Sequence, residues 1–206
     1  MMSRILSIIL LLFCFTSATA MAENFNISGI SYEPISPTGN TVKVVSFKSS
    51  ASDKDTYFDN CVTIPGEVTY NGRRFTVTMI ERHAFKECKS VKKISIPSTI
   101  ISISFYAFNG CSDLIDIIVD HDNSKFCDVD GVLYTKNMKT LIRYPEGKSD
   151  ADFSIPTGVE IISSFAFSGC RNLQSISIPN SVTSISSYAF SNCSGLMLHP
   201  KIRRYN

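Results

Sequence analysis

The sequence predicts a β-rich solenoid: stacked coils of short parallel strands, inserted hairpins, turns and short helical pieces. Three observations predict it. Ala-Phe-x-x-Cys recurs as Ala84-Phe85/Cys88, Ala107-Phe108/Cys111, Ala166-Phe167/Cys170 and Ala189-Phe190/Cys193, at separations of 23, 59 and 23 residues. Apolar residues fall into columns: Ile80, Ile103, Ile162 and Ile185, and Val91, Leu114, Leu173 and Leu196, at the same spacing, and Val68, Ile100, Val159 and Val182, whose first step is longer. The runs between them, such as Ile94-Ser95-Ile96 before Pro97, alternate with period two and are β-branched, which favours strands over helices. A coil of this size cannot bury its own apolar side, so each inward residue must meet the same column in the next coil.

In chain order, the first residues read as an address label. Arg4 forms a basic start, Ile5 to Phe15 an apolar run, and Ala18-Thr19-Ala20 or Ala20-Met21-Ala22 a small-residue cleavage site. Residues 1–22 are therefore assigned to a signal peptide. The apolar run is too short to span a bilayer, which takes about 20 residues. Cys14 follows Phe13, where a lipidated cysteine needs a small residue, so lipidation is the weaker reading. Residues 23–60 lack the repeat. Ile27–Ile35 and Thr41–Phe47 alternate apolar and polar residues around Ser36-Pro37-Thr38-Gly39-Asn40, a turn composition, and predict a β-hairpin that caps the N-terminal end of the stack. The polar run Ser49–Asp55 reads as a loop.

Residues 61–206 are assigned to about five coils. The first, from Pro65 to Pro97, is longer than 23 residues. The surplus fits a hairpin at Asn71-Gly72, a pair that supplies the positive φ angles of a tight turn. The surplus of the coil after Asp120 fits a second hairpin, Val132-Leu133-Tyr134 with Leu141-Ile142-Arg143-Tyr144 around a turn at Lys136–Lys139. Asp128-Val129-Asp130-Gly131 resembles the start of a calcium loop, but no Glu closes it, and a hairpin or bulge turn at Asp130-Gly131 is the simpler reading. Ala-Phe-x-x-Cys is expected to form a tight turn or a short helical piece, with Phe inward. After Leu196 the register fails, because His199 and Lys201 stand where apolar residues should.

Composition excludes several functions. Net charge is +2, with 20 Lys and Arg against 18 Asp and Glu, which is no footprint for nucleic acid. The run Lys86, Lys89, Lys92 and Lys93 reads as solvated surface. Trp is absent, removing the commonest platform for stacking sugars. No nucleophile elbow, phosphate loop or dinucleotide fingerprint occurs, and no enzyme activity, cofactor or metal is expected. No two Cys or His residues stand at short zinc-ligand spacing. His121 between Asp120 and Asp122 could ligate a metal, yet a polar corner is the simpler reading. His83 shares a column with Tyr106, Phe165 and Tyr188, a ring in place of a ring. Cys88, Cys111, Cys170 and Cys193 share one column, as small buried apolar residues would, and free thiols are expected. A bond such as Cys88–Cys111 would be within reach across adjacent coils. Cys61 and Cys127 cannot be paired from sequence.

The pattern Ile-Pro-x-x-Val-x-x-Ile-x-x-x-Ala-Phe-x-x-Cys-x-x-Leu-x-x-Ile-x-Ile-Pro resembles the BspA-type leucine-rich repeats of host-associated bacteria and some protozoa. Asp130-Gly131-Val132-Leu133-Tyr134 through Leu141-Ile142-Arg143-Tyr144-Pro145 is similar to a variant repeat of that family. The resemblance covers roughly residues 57–198 and implies a leucine-rich-repeat solenoid. It also implies a secreted or surface-exposed recognition module, with adhesion among the roles of named members and no catalytic residues to carry over. The candidate binding residues are those facing outward from the Ile-x-Ile strands: Lys93, Ser95, Asp116, Ile118, Ser175 and Ser177. Ser102, Ser104, Ser163 and Ser184 alternate out of the following segment. The expected partner is a host or bacterial surface protein, with a glycan, or self-association into a surface structure, as alternatives. The expected location is exported: secreted, cell-surface or periplasmic.

Overall fold

The computed structural model describes residues 23–48 and 57–196. The signal peptide, the loop and the break in register expected at 1–22, 49–55 and around His199 and Lys201 lie outside the described residues. The order begins with β1 (Phe25–Ile27), β2 (Ile30–Pro34), β3 (Thr41–Phe47), β4 (Tyr57–Phe58), β5 (Cys61–Thr63), β6 (Glu67–Tyr70), β7 (Arg73–Ile80), β8 (Lys93–Ile96) and β9 (Ser102–Ile103). It continues with β10 (Asp116–Val119), β11 (Phe126–Val129), β12 (Val132–Thr135), β13 (Thr140–Arg143), β14 (Asp152–Ser154), β15 (Ile161–Ile162), β16 (Ser175–Ser177) and β17 (Ser184–Ile185). No helix occurs among the described residues.

Coil stacks on coil by parallel pairing at the repeat spacing. On one side β5, β8 and β10 align Val62, Ile94 and Ile117, each fully buried. On the other, β9 joins β7 through Ile80↔Ile103, and β13, β15 and β17 align Leu141, Ile162 and Ile185. Between the strands, the three-residue spacings of the motif are turns. Hydrogen bonds run from Ile100 N to Pro97 O, Ala107 N to Ser104 O, Cys88 N to Phe85 O and Leu114 N to Cys111 O, with equivalents in the other coils.

Those turns correct the expected helical pieces at Ala-Phe-x-x-Cys. A left-handed residue opens and closes each segment: His83 and Glu87, Phe165 and Gly169, Tyr188 and Asn192 all have positive φ. Tyr106 departs from the pattern, and Gly110 keeps it. One such residue every four interrupts any α run, because an L-residue in that region cannot continue a right-handed helix. Rings at 83, 165 and 188 tolerate the strain because each packs in a ladder: His83–Tyr106 and Tyr106–Phe165 meet edge to face with centroids 4.9 and 4.6 Å apart, and Phe165–Tyr188 stack at 5.2 Å.

The N-terminal region also differs in detail. Ile27–Ile35 is not one strand, since Ser28 and Gly29, both at positive φ, fold β1 back on β2. β2 and β3 form the expected antiparallel pair, and β3 then pairs parallel with β7. Phe25, Tyr32, Val42, Val44 and Phe47 enter the same core as the first coils. The Asn71-Gly72 hairpin stands as expected, with φ of 50° and 74° joining β6 to β7.

The long coil holds the least regular part of the fold. The antiparallel set β11–β12–β13 turns at Asp130-Gly131, both at positive φ, and its β12–β13 pair is buried on both faces. Leu133 and Ile142 belong to the N-terminal core cluster, whereas Val132, Tyr134, Leu141 and Tyr144 belong to the C-terminal one. The hairpin is a partition between two cores. Arg143 takes the place of the repeat's Ala, and its guanidinium donates to Phe108 O and Phe165 O in the coils on either side. It also pairs with Glu146, with the two side chains 2% and 7% exposed. Glu146 in turn accepts from Gly110 N at 2.6 Å.

Removing one partner of a buried pair leaves the other charge without compensation. Arg143→Ala is expected to lower the unfolding free energy by about 3–5 kcal/mol. Arg74→Ala, at a side chain 74% exposed in its contact with Glu67, should stay within about 0.5 kcal/mol. Urea denaturation of the two variants beside the wild type checks both values.

Candidate binding surface

The outward strand residues divide into two groups. Lys93 and Ser95 on β8 lie beside Asp116 and Ile118 on β10, in the register Lys93↔Asp116 and Ser95↔Ile118. Cys61 and Thr63 on β5 extend both rows by one strand. Ser175 and Ser177 lie elsewhere, on β16 beside Asp152 and Ser154 of the two-stranded β14–β16 sheet. β10 and β14 do not pair, because the inserted hairpins intervene: Ile117 N donates to Gly131 O at 3.0 Å. The six residues do not form one continuous face.

The β5–β8–β10 group has its own electrostatics. Lys93 Nζ lies 3.0 Å from Asp116 Oδ2, and this contact raises the lysine pKa. Asp116 is held from behind, where a Cβ on Gly131 would come within 2.4 Å of its carboxylate. Next to this pair Ile118 is 43% exposed. An apolar side chain beside a paired charge can be covered without stranding a lone ion. At β16 the Ser175 hydroxyl donates to Asp152 Oδ1. Of the further serines, Ser104 donates to Glu81 Oε1 at 3.4 Å, while Ser102 and Ser163 are half-buried and Ser184 is exposed.

Other sequence candidates resolve simply. Asp120, His121 and Asp122 are brought together, with their ligand atoms within 4.8 Å of one another, and all three are exposed. His121 lies 3.5 Å from Asp120 and 3.2 Å from Asp122, so these atoms already serve one another. Their neighbour Asn123, not singled out from sequence, is fully buried. Its side chain donates to Pro97 O and Ile100 O and accepts from Lys125 N and Phe126 N, clipping the corner shut. His83 packs edge-on against Tyr106, a ring in a ring position. The aromatic edge that continues from it was also missed as surface: Phe105 is 50% and Tyr188 56% exposed.

All six described cysteines are free thiols. In the repeat column, Cys111 donates to Phe85 O at 2.9 Å, Cys193 to Phe167 O at 2.9 Å and Cys170 to Tyr144 O at 3.7 Å. Each thiol thus serves a carbonyl of the preceding coil. Burial pushes Cys170 well above the usual thiol range and Cys193 up to about 11. The neighbouring Cys88 and Cys111 thiols act on each other, which lowers the first and, with burial, raises the second.

The family follows from the repeat and from its match to known proteins. The model of the BspA type leucine rich repeat region matches six copies, over residues 54–129 and 146–199. The chain belongs to the BspA-type leucine-rich repeat family. Among solved structures, it is similar to a leucine-rich repeat protein from Bacteroides ovatus at 26% identity and TM-score 0.51, over 84% of this chain and 45% of that one. A leucine-rich repeat protein from Eubacterium ventriosum shares the fold at 18% identity and TM-score 0.52, over 82% of this chain and 69% of that one. A leucine rich cell surface protein from Faecalibacterium prausnitzii aligns at 19% identity and TM-score 0.46, over 87% and 76%. No curated protein matches the chain. Among the described residues, this BspA-type chain has no helix long and apolar enough to cross a membrane.

The thiol column generates a pH expectation. A thiol whose folded pKa lies above its unfolded value binds protons more tightly in the native state. Its contribution is complete below the unfolded value, about 8.5, and is lost as pH rises toward the folded one. For Cys193 that window runs from about 8.5 to about 11. The urea midpoint should therefore fall between pH 7.5 and pH 10, and Cys193→Ala should flatten the fall. Iodoacetamide at pH 8 should leave Cys111, Cys170 and Cys193 unlabelled in the native protein and label them after denaturation, as read by mass spectrometry.

Proposed function

We propose that this BspA-type chain is an exported, non-enzymatic protein-binding module at or near the cell surface, engaging a surface protein of host or bacterial origin. In this reading the stacked coils form a solenoid, residues 23–60 cap its N-terminal end, and the exposed rows of β5, β8 and β10 are the contact surface. The observation that carries it is the β5–β8–β10 face, where Ile118 stands exposed beside the paired Lys93 and Asp116. Such a face suits protein contact, because an apolar side chain beside a neutralised ion pair loses little on desolvation and gains from burial. The N-terminal leader pattern supports export. The repeat supports a recognition role over catalysis, since it supplies a rigid ladder of side chains and no nucleophile, base and orienting group in one place.

Surface plasmon resonance of the chain from Glu23 onward, against immobilised extracellular-matrix and bacterial surface proteins, tests this reading. A saturable interaction that Ile118→Lys weakens by about tenfold or more would be that of a central contact residue. Ser177→Lys, on the separate β14–β16 sheet, should leave the interaction within about twofold. Binding that ignores Ile118→Lys would remove this face from consideration, and a blank panel would remove adhesion.

A further inference from the structure

On the turn side of the coils, away from the strand rows, the position two residues after each column aromatic forms a row of its own: Glu87, Gly110, Glu146, Gly169, Asn192. Acid and glycine alternate for a steric reason. A Cβ on Gly110 would lie 3.1 Å from Glu87 Cγ, and one on Gly169 would lie 2.7 Å from Glu146 Cδ, so each glutamate lies across the glycine of the next coil. This row is the floor of a groove of about 420 Å³, within the size range of small-molecule sites. Asn109 and Ser168 stand on one side of the floor and Lys89, Ser112 and Arg171 on the other, each set from a single position of the repeat.

The charges of the groove indicate its ligand. Glu146 is neutralised by Arg143 beneath it and accepts from Gly110 N. Glu87 has Lys86 at 3.5 Å. Asp113, beside the rim, takes the Ser112 hydroxyl at 3.2 Å. Lys89 and Arg171, both exposed, have no acidic partner among the described residues. What remains is two cations of one row with amides and hydroxyls between them, and no apolar or aromatic side chain in the lining. A nucleobase or an apolar peptide side chain would find nothing to stack on. A ring bearing hydroxyls finds amides that donate and accept at Asn109 and Asn192, the Ser168 hydroxyl itself donating to Asn109 Oδ1 at 3.4 Å, and an acidic substituent on it would pair with the free cations.

We infer that this groove binds an acidic saccharide, such as a uronic-acid oligomer, with Lys89 and Arg171 pairing its carboxylates and the amides and hydroxyls reading its hydroxyl groups. The site is separate from the β5–β8–β10 face and stands or falls independently of protein binding there.

Isothermal titration of the chain from Glu23 onward with trigalacturonate, maltotriose and tri-glutamate, at low and high salt, tests it. Saturable trigalacturonate binding is expected, weaker at high salt. Arg171→Ala and Lys89→Ala should each weaken it by about tenfold, the loss of one charge-assisted contact. Maltotriose, lacking the acid, should bind at least about tenfold more weakly. Both variants remove exposed side chains, so their thermal midpoints should match the wild type and an effect on binding is not a folding effect. Ile118→Lys should leave the titration unchanged, which separates this site from the strand face. The inference is overturned by no saturation, by binding that ignores Arg171→Ala and Lys89→Ala, or by tri-glutamate binding as well as trigalacturonate, which would make the groove a patch of positive charge and no more.

Discussion

No coil of this protein can close its own core, and the aromatic column is where each coil is completed by the next. Phe47 and Phe85 lie 5.6 Å apart, Phe85 and Phe108 5.8 Å, Tyr144 and Phe167 5.4 Å, and Phe167 and Phe190 5.1 Å. Hydrogen bonds lock the same contact: Phe85 N to Ala107 O, Tyr144 N to Ala166 O and Phe167 N to Ala189 O. The small Ala beside each aromatic allows that approach. The Cys three residues later fits the remaining space and lends a weak donor to a carbonyl of the coil before it. The motif Ala-Phe-x-x-Cys is therefore one device, in which approach, stacking and carbonyl satisfaction depend on each other.

Between Phe108 and Tyr144 the device is interrupted, and the interruption explains the least regular features of the fold. The inserted hairpin enters with both faces apolar, so it divides the core instead of covering it. At the position of the repeat's Ala stands Arg143, whose reach lets coils on either side share one guanidinium through Phe108 O and Phe165 O. The coils flanking the insertion still meet at their corner, where Tyr106 and Phe165 pack edge to face and Ser168 contacts Asn109. Burying this ion pair costs desolvation, which its fixed hydrogen bonds to backbone groups offset. An alanine there would remove both donations, leaving Phe165 O with Ser168 N alone.

Much of this was legible in the sequence because it is periodic. Column residues such as Ile100, Leu114, Val159 and Leu173 are fully buried where their spacing puts them. Asn71-Gly72 and Asp130-Gly131 turn where their φ preferences demand. The misses share a cause: they depend on a neighbour that spacing does not name. His83, Phe165 and Tyr188 look helix-compatible as a pattern, yet ring packing between coils accompanies a left-handed conformation that forbids a helix. Ser175 and Ser177 occupy the repeat positions of Lys93 and Ser95, but the insertion places them on another sheet. Arg143 read as one residue of a hairpin, since nothing local shows that its charge would be buried against Glu146.

The same contrast bears on where recognition can reside. A strict repeat gives every coil the same outward side chains, and a surface of identical small polar groups offers a partner no unique register. Binding that selects one position needs the rows to differ along the stack. On the strand side, the rows Cys61–Lys93–Asp116 and Thr63–Ser95–Ile118 change residue at every strand. On the turn side, glutamate alternates with glycine while basic residues appear only at particular coils. The hydrophobic columns must stay uniform because each residue is the packing surface of the next, and that leaves the outward positions as the places where sequence can vary without unfolding the stack.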